Sequence, residues 1–141
     1  MTKLCLEIRG IPKAKQSFKY TKNGKKYRPK EVTEEQNSIR SQAAAQLKQS
    51  YPGFKPFTGP VAMQVVFRFP PLRGMSKRIR EQISNNGLVP KTTKPDRGNL
   101  IKLLEDALEG VVYLNDSQVW KSTEMKIYGD TPGISIIMEG E

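Results

Sequence analysis

Apolar residues recur at every second position in "KLCLEIRGI" (3–11), with Leu4, Leu6 and Ile8 on one side and Glu7 and Arg9 on the other. That period predicts a strand with one face buried. It returns in "VAMQVVFRF" (61–69), where Val61, Met63, Val65, Phe67 and Phe69 share a face. In "TEEQNSIRSQAAAQLKQ" (33–49) the pattern is helical. Thr33 and Gln36 read as a capping box, Glu34 and Glu35 suit the positive end of a helix, and the alanine run offers a narrow face for close packing against a sheet. "SKRIREQISN" (76–85) predicts a short basic helix capped by Ser76, and residues 87–95 a loop carrying Lys91 and Lys94. After Asp96, helical spacing sets Leu100, Ile101, Leu104, Ala107, Leu108 and Val111 towards a core. "GVVYL" and "SQVWKSTEMKIY" read as strands around an Asn115-Asp116 turn, and "GISIIM" as a last strand. "YPGFKPFTGP" breaks the chain, but no repeat or linker divides it. The expectation is one mixed α/β domain over residues 1–141, large enough to bury a core.

The stretch between the first strand and the first helix has another character. From Lys13 to Lys30 there are eight basic residues and no acid, with Phe18, Tyr20 and Tyr27 among them and Asn23-Gly24 placed for a two-residue hairpin turn. Cations interleaved with stacking surfaces favour an arm that follows a nucleic-acid backbone over a merely solvated ribbon. Lys19, Lys22, Lys25, Lys26 and Arg28 are its candidate phosphate contacts. The whole chain agrees. Its 24 Lys and Arg against 14 Asp and Glu give a net charge of +10, which argues for a polyanionic partner.

The absence of histidine excludes imidazole bases, Ser-His triads and His-based zinc sites. The single cysteine, Cys5, excludes an intrachain disulfide and a multi-Cys metal cluster, and its apolar strand predicts a packed small hydrophobe. No signal-peptide or membrane-length apolar run is seen, so a reducing cytoplasm and no membrane partner are expected.

The chemistry left to such a chain is metal-assisted phosphodiester hydrolysis, in which carboxylates hold Mg²⁺ or Mn²⁺ and a lysine offsets transition-state charge. Asp96 is the first candidate ligand, although an aspartate there also suits a helix N-cap. Asp116 is the second, although Asn-Asp between strands is ordinary turn chemistry. Lys102 lies four residues after Gly98 on the same side of the helix, and Asp106 a turn further on suits a pair with Lys102.

"KPDRGNLIKLLEDALEGVVYLNDSQVW" (94–120), about a fifth of the chain, closely resembles the signature of the RusA family of Holliday junction resolvases. That signature runs approximately Pro-Asp-x-Asp-Asn-Leu-x-Lys, then Asp-Ala-Leu, then Asp-Asp-x-Gln-Val. The resemblance implies a RusA-like mixed α/β fold that cuts four-way DNA junctions as a homodimer with Mg²⁺ or Mn²⁺, in the cytoplasm of a bacterium or a phage-infected cell. It makes Asp96 and Asp116 metal ligands and Lys102 the essential lysine, with Asn99, Asp106 and Gln118 also matching. Lys94 stands where a basic residue is frequent, and with the neighbouring Arg97 is a candidate DNA contact.

Two positions depart from the signature. Asn115 replaces the first acid of the Asp-Asp pair but still offers an oxygen. Gly98 stands where the family has its second catalytic aspartate, so Asp96 reads as the survivor of a carboxylate pair. Three accounts are open: a substitution made to trap an inactive enzyme, a natural protein that binds branched DNA without cutting, or completion of the site by another carboxylate such as Glu7 or Asp106. Low activity is expected. A basic RNA-binding module would satisfy the charge but not the Asp-x-x-Asn-Leu-x-Lys spacing.

Overall fold

A computed structural model describes residues 1–14, 22–25 and 30–141, together with the backbone of 19–20 and 26–27. Phe18, Arg28 and the side chains of Lys19, Tyr20, Lys26 and Tyr27 lie outside the described residues.

The four main strands are β1 (Thr2–Arg9), β4 (Val61–Phe69), β5 (Val119–Tyr128) and β6 (Gly133–Gly140). They form one sheet in the order β1-β6-β4-β5, with β4 and β5 parallel and the other pairs antiparallel. Strands β2 (Lys19–Tyr20) and β3 (Lys26–Tyr27) make the basic hairpin. Three helices complete the fold: α1 (Lys30–Ser50), α2 (Lys77–Ser84) and α3 (Arg97–Leu108). This is a mixed α/β fold.

The alternating residues of β1 and β4 named above are all buried, and Ile134, Ile136 and Met138 of β6 continue the same face. Against it lie Val32, Ile39, Ala43 and Leu47 of α1 and Leu100, Leu103, Leu104, Ala107 and Leu108 of α3. Side-chain parity therefore decides what reaches the helix layer. In β5 the residues level with Met63, Val65, Phe67 and Phe69 are Ser122, Glu124, Lys126 and Tyr128. Two charged residues, Glu124 and Lys126, thus sit on the side of the sheet that carries the core.

β1 is an edge strand, and α1 covers it with side chains instead of backbone. The amide of Gln42 accepts from Arg9 N–H at 2.8 Å and donates to Arg9 O at 3.2 Å. Gln46 accepts from Glu7 N–H at 2.8 Å and donates to Glu7 O at 2.5 Å. The Tyr51 hydroxyl accepts from Cys5 N–H at 2.9 Å. Edge groups that would otherwise invite a foreign strand are so occupied.

Several expectations need correction. The first helix begins at Lys30, so Thr33 lies inside it and forms no capping box with Gln36, which is buried in the helix's apolar stripe. Of the alanine run only Ala43 is buried. Cys5 is exposed, because in a strand with period two it shares the outward parity of Glu7. "GVVYL" is a turn and not a strand: Gly110 takes φ 83°, and its N–H bonds back to Tyr113 O at 2.7 Å. Val111 accordingly falls beyond the end of α3. The hairpin turn is longer than two residues, since Tyr20 pairs with Lys26, although Gly24 does take φ 77°. Ser76 caps α2 as expected, its Oγ accepting from Ile79 N–H at 3.3 Å.

Candidate catalytic and metal-binding site

Asp96 is the N-cap residue of α3, with φ −71° and ψ 146°, and its carbonyl accepts from Leu100 N–H at 3.1 Å. Its side chain makes no capping bond. The backbone fills the cap, and the carboxylate is left exposed. Arg97, Gly98, Asn99 and Lys102 follow along the exposed start of α3, and Lys94 is exposed just before it. The Lys94–Pro95 peptide is cis. Gly98 has no positive φ, and a Cβ built on it meets nothing within 4 Å.

The loop before Asp96 is fastened to β5. Lys126 Nζ donates to Thr93 O at 2.6 Å and Pro95 O at 2.7 Å. Lys91 Nζ donates to Thr93 Oγ1 at 2.8 Å and stands 5.1 Å and 5.3 Å from the ring centres of Phe69 and Tyr128. Burial pulls the Lys126 ammonium below the ordinary lysine range, Lys91 and Arg97 repel it further, and Asp96 opposes them. A cleft lined by Lys13, Ala14, Glu31, Val32 and Pro95 joins this loop to the root of the basic arm, whose Lys22 and Lys25 are exposed at the hairpin tip.

Asp116 opens a 3₁₀ turn, Asp116–Gln118, capped by Asn115. Asn115 Oδ1 accepts from Ser117 N–H at 2.9 Å, so the oxygen that the sequence left open for a metal serves the turn. Gln118 is the hub. Its Oε1 accepts from Leu114 and Asn115 N–H at 2.9 and 2.8 Å, and its Nε2 donates to Phe57 O and Gly59 O at 2.8 and 2.9 Å. Glu109 Oε1 accepts from the Asp116 N–H at 3.0 Å. The half-buried Asp116 is thereby held on a turn tied both to α3's end and to the loop before β4.

Glu105 of α3 and Glu124 of β5 belong to the same acidic neighbourhood, which the sequence reading missed. Burial pushes the Glu105 carboxyl up to about 7, and Asp116, Glu124 and Asp106 add to the rise. Ser122 Oγ donates to Glu124 Oε1 at 2.9 Å. The signal that would have found Glu124 and Lys126 is their parity with Tyr128 in a strand whose partner buries that face. Glu7 is removed as a completing ligand: it faces the opposite side of the sheet, bonded to Arg68 and to the Ser135 hydroxyl at 2.6 Å. Asp106 stays near the cluster, and its backbone carbonyl accepts from Arg40 at 3.1 Å.

Two groupings result: Asp96 with Lys126, Arg97 and Lys91, and Asp116 with Glu105 and Glu124. Among the described residues no three carboxylates lie close enough together to ligate one ion. The donor chemistry nevertheless fits a hard cation, being all carboxylate oxygen, with the pKa of Glu105 raised by burial and by its acidic neighbours. No helix among the described residues is long and apolar enough to cross a membrane.

Comparison with known proteins agrees with the motif. The chain is 35% identical over 82 residues to the "Uncharacterized protein YqaN" of Bacillus subtilis (strain 168), a match spanning 57% of this chain and 58% of that one. The family model described as "Endodeoxyribonuclease RusA" matches residues 9–139, nearly the whole length, with the Asp96 turn, α3 and the Asp116 turn inside it. With that extent of match, the chain belongs to the RusA endodeoxyribonuclease family.

Proposed function

We propose that this protein binds four-way DNA junctions as a homodimer, through one RusA-like domain in the cytoplasm of a bacterium or phage-infected cell, and is a Mg²⁺- or Mn²⁺-dependent junction endonuclease held to low activity by Gly98. The observation that carries this reading is the Asp96 carboxylate, exposed and unspent at a helix N-cap in a chain of this family.

Asp96 and Asp116 would hold the divalent ion, and Glu105 and Glu124 are the carboxylates grouped with Asp116. A bound ion supplies Lewis acidity and a bound water of lowered pKa. The chain's own residues do the rest. Lys102 offsets charge on the scissile phosphate, Lys94 and Arg97 hold flanking phosphates, and Lys19, Lys22, Lys25, Lys26 and Arg28 of the arm hold more distant ones. Gln118 keeps the Asp116 turn in place by its four hydrogen bonds.

A second reading, a branched-DNA-binding protein that does not cut, is favoured by Gly98 and by carboxylates that do not converge. Incubation with a synthetic four-way junction and a linear duplex, with Mg²⁺, Mn²⁺ or EDTA, separates the two. Slow, paired, metal-dependent nicking of the junction alone is expected. Tight junction binding without nicking at any metal concentration supports the second reading, and equal binding of both DNAs defeats both.

A further inference from the structure

We infer that Lys126 is a positioning residue for Asp96: its ammonium clasps the carbonyls on either side of Lys94 and so fixes the turn from which the Asp96 carboxylate projects. The inference rests on the metal-dependent reading for its purpose, though not for its geometry.

The clasp begins with strand parity. Lys126 is level with Phe67 of β4, which is buried, so its side chain leaves β5 towards the helix layer, not solvent. There it makes no ion pair with a carboxylate among the described residues. It meets two main-chain oxygens instead, Thr93 O at 2.6 Å and Pro95 O at 2.7 Å. Pro95 O belongs to the residue immediately before Asp96. Gripping both carbonyls therefore restricts the backbone on the N-terminal side of the cap, while the Leu100 N–H grips Asp96 O on the other. The carboxylate lies between two fixed points.

Lys91 reinforces the clasp from the opposite direction. Its N–H donates to Lys126 O at 3.0 Å, and its Nζ reaches Thr93 Oγ1. Backbone and side-chain bonds thus run in a ring from β5 to residue 91, on to Thr93, and back to Lys126.

This arrangement is poor as mere structural glue. It brings two ammonium groups to one loop in a half-buried place, where like charges repel each other. An apolar residue at 126, level with Phe67, would avoid that cost. What the ammonium supplies and an apolar residue cannot is a fixed position for the two carbonyls. A metal ligand held by a support of this kind binds its ion more tightly, because less disorder is lost on binding.

Electrostatics gives the test a definite sign. A positive charge beside Asp96 repels a divalent cation, so removing it by Lys126→Met should strengthen Mn²⁺ binding if charge is all that matters. If Lys126 positions Asp96, the same change weakens Mn²⁺ binding by roughly ten- to a hundredfold, the usual loss when a support of a ligand is removed. Mn²⁺ affinity would be read by titration calorimetry on the full chain, with Lys126→Arg retaining much of the parent's affinity. Lys121→Met, an exposed lysine on the opposite face of the same strand, should leave it unchanged. Hydrogen exchange without metal gives an independent reading: the Leu100 amide should exchange faster in Lys126→Met. In the unmodified protein, couplings across the hydrogen bonds from the Lys126 ammonium to the Thr93 and Pro95 carbonyl carbons should be visible by NMR. Absent couplings, or a folded Lys126→Met that binds Mn²⁺ as tightly as the parent with unchanged exchange, would overturn the inference. A parent that binds no Mn²⁺ but shows the couplings and the exchange difference would overturn the metal-dependent reading and leave the clasp in place.

Discussion

Asp96 and Gly98 stand two residues apart at the start of α3, one capping the helix with its backbone alone and the other, inside the first turn, carrying no side chain into open space. Position 98 is helical and unobstructed, so neither strain nor crowding stands against an aspartate there. Gly98→Asp should raise stability by roughly 0.5–1 kcal/mol, from lower backbone entropy and from a negative charge at a helix N-terminus. Junction cleavage with Mn²⁺ should rise tenfold or more, about 1.4 kcal/mol off the barrier. The gain should vanish with Asp96→Asn or Asp116→Asn. Thermal melts and cleavage rates check this; a stable variant that cleaves no faster removes position 98 from the site.

Glu105 gives a pH signature. Its folded value of about 7 lies above the ordinary 4.5, so the folded state holds the proton more tightly than the unfolded chain. The sign follows directly: this contribution is full below about pH 4.5, is lost as pH rises through about 7, and stays lost above. Glu105→Gln should therefore match the parent in urea midpoint near pH 4.5 and exceed it at pH 8. Parallel pH profiles for the two proteins would show that Glu105 ionises freely.

The arm is tested by salt. Changing Lys19, Lys22, Lys25 and Lys26 together to alanine should weaken junction binding and flatten the log–log salt dependence, by up to about 0.9 for each phosphate the arm no longer holds. An unaltered slope would leave the hairpin without a role in binding.

Assembly is tested by sedimentation. Paired incisions across a nearly two-fold junction call for two sites related by a two-fold axis, the commonest homo-oligomer geometry. The protein should sediment as a dimer at micromolar concentration, and a monomer both with and without junction DNA would contradict the proposal.

Much of the fold is legible in local pattern. Strand β4, the Ser76 cap and the apolar stripe of α3 can be read because each follows from a period or a cap within a few residues. "GVVYL" misleads because β-branched and aromatic residues favour strands, whereas here Val112 and Tyr113 are buried in a turn and the Tyr113 hydroxyl donates to Glu105 O at 2.7 Å. The site divides in the same way. Asp96 and Asp116 are visible through the spacing of a family motif. Glu105, Glu124 and Lys126 are not, since their roles depend on which face of β5 meets α3. That is settled only by strand order and by the parallel pairing of β5 with β4.

The glutamine cover on β1 has a consequence for how copies of this chain can meet. With Gln42, Gln46 and Tyr51 occupying that edge, the sheet has lost one of its two joining ends. Among the described residues, the other end is the first part of β5, since Val89 and Lys91 bond to its last residues. A unit with one joining end has a valence of one. Two such units meeting strand to strand exhaust each other, so association by that route terminates at a pair and has no means of growing into a fibre.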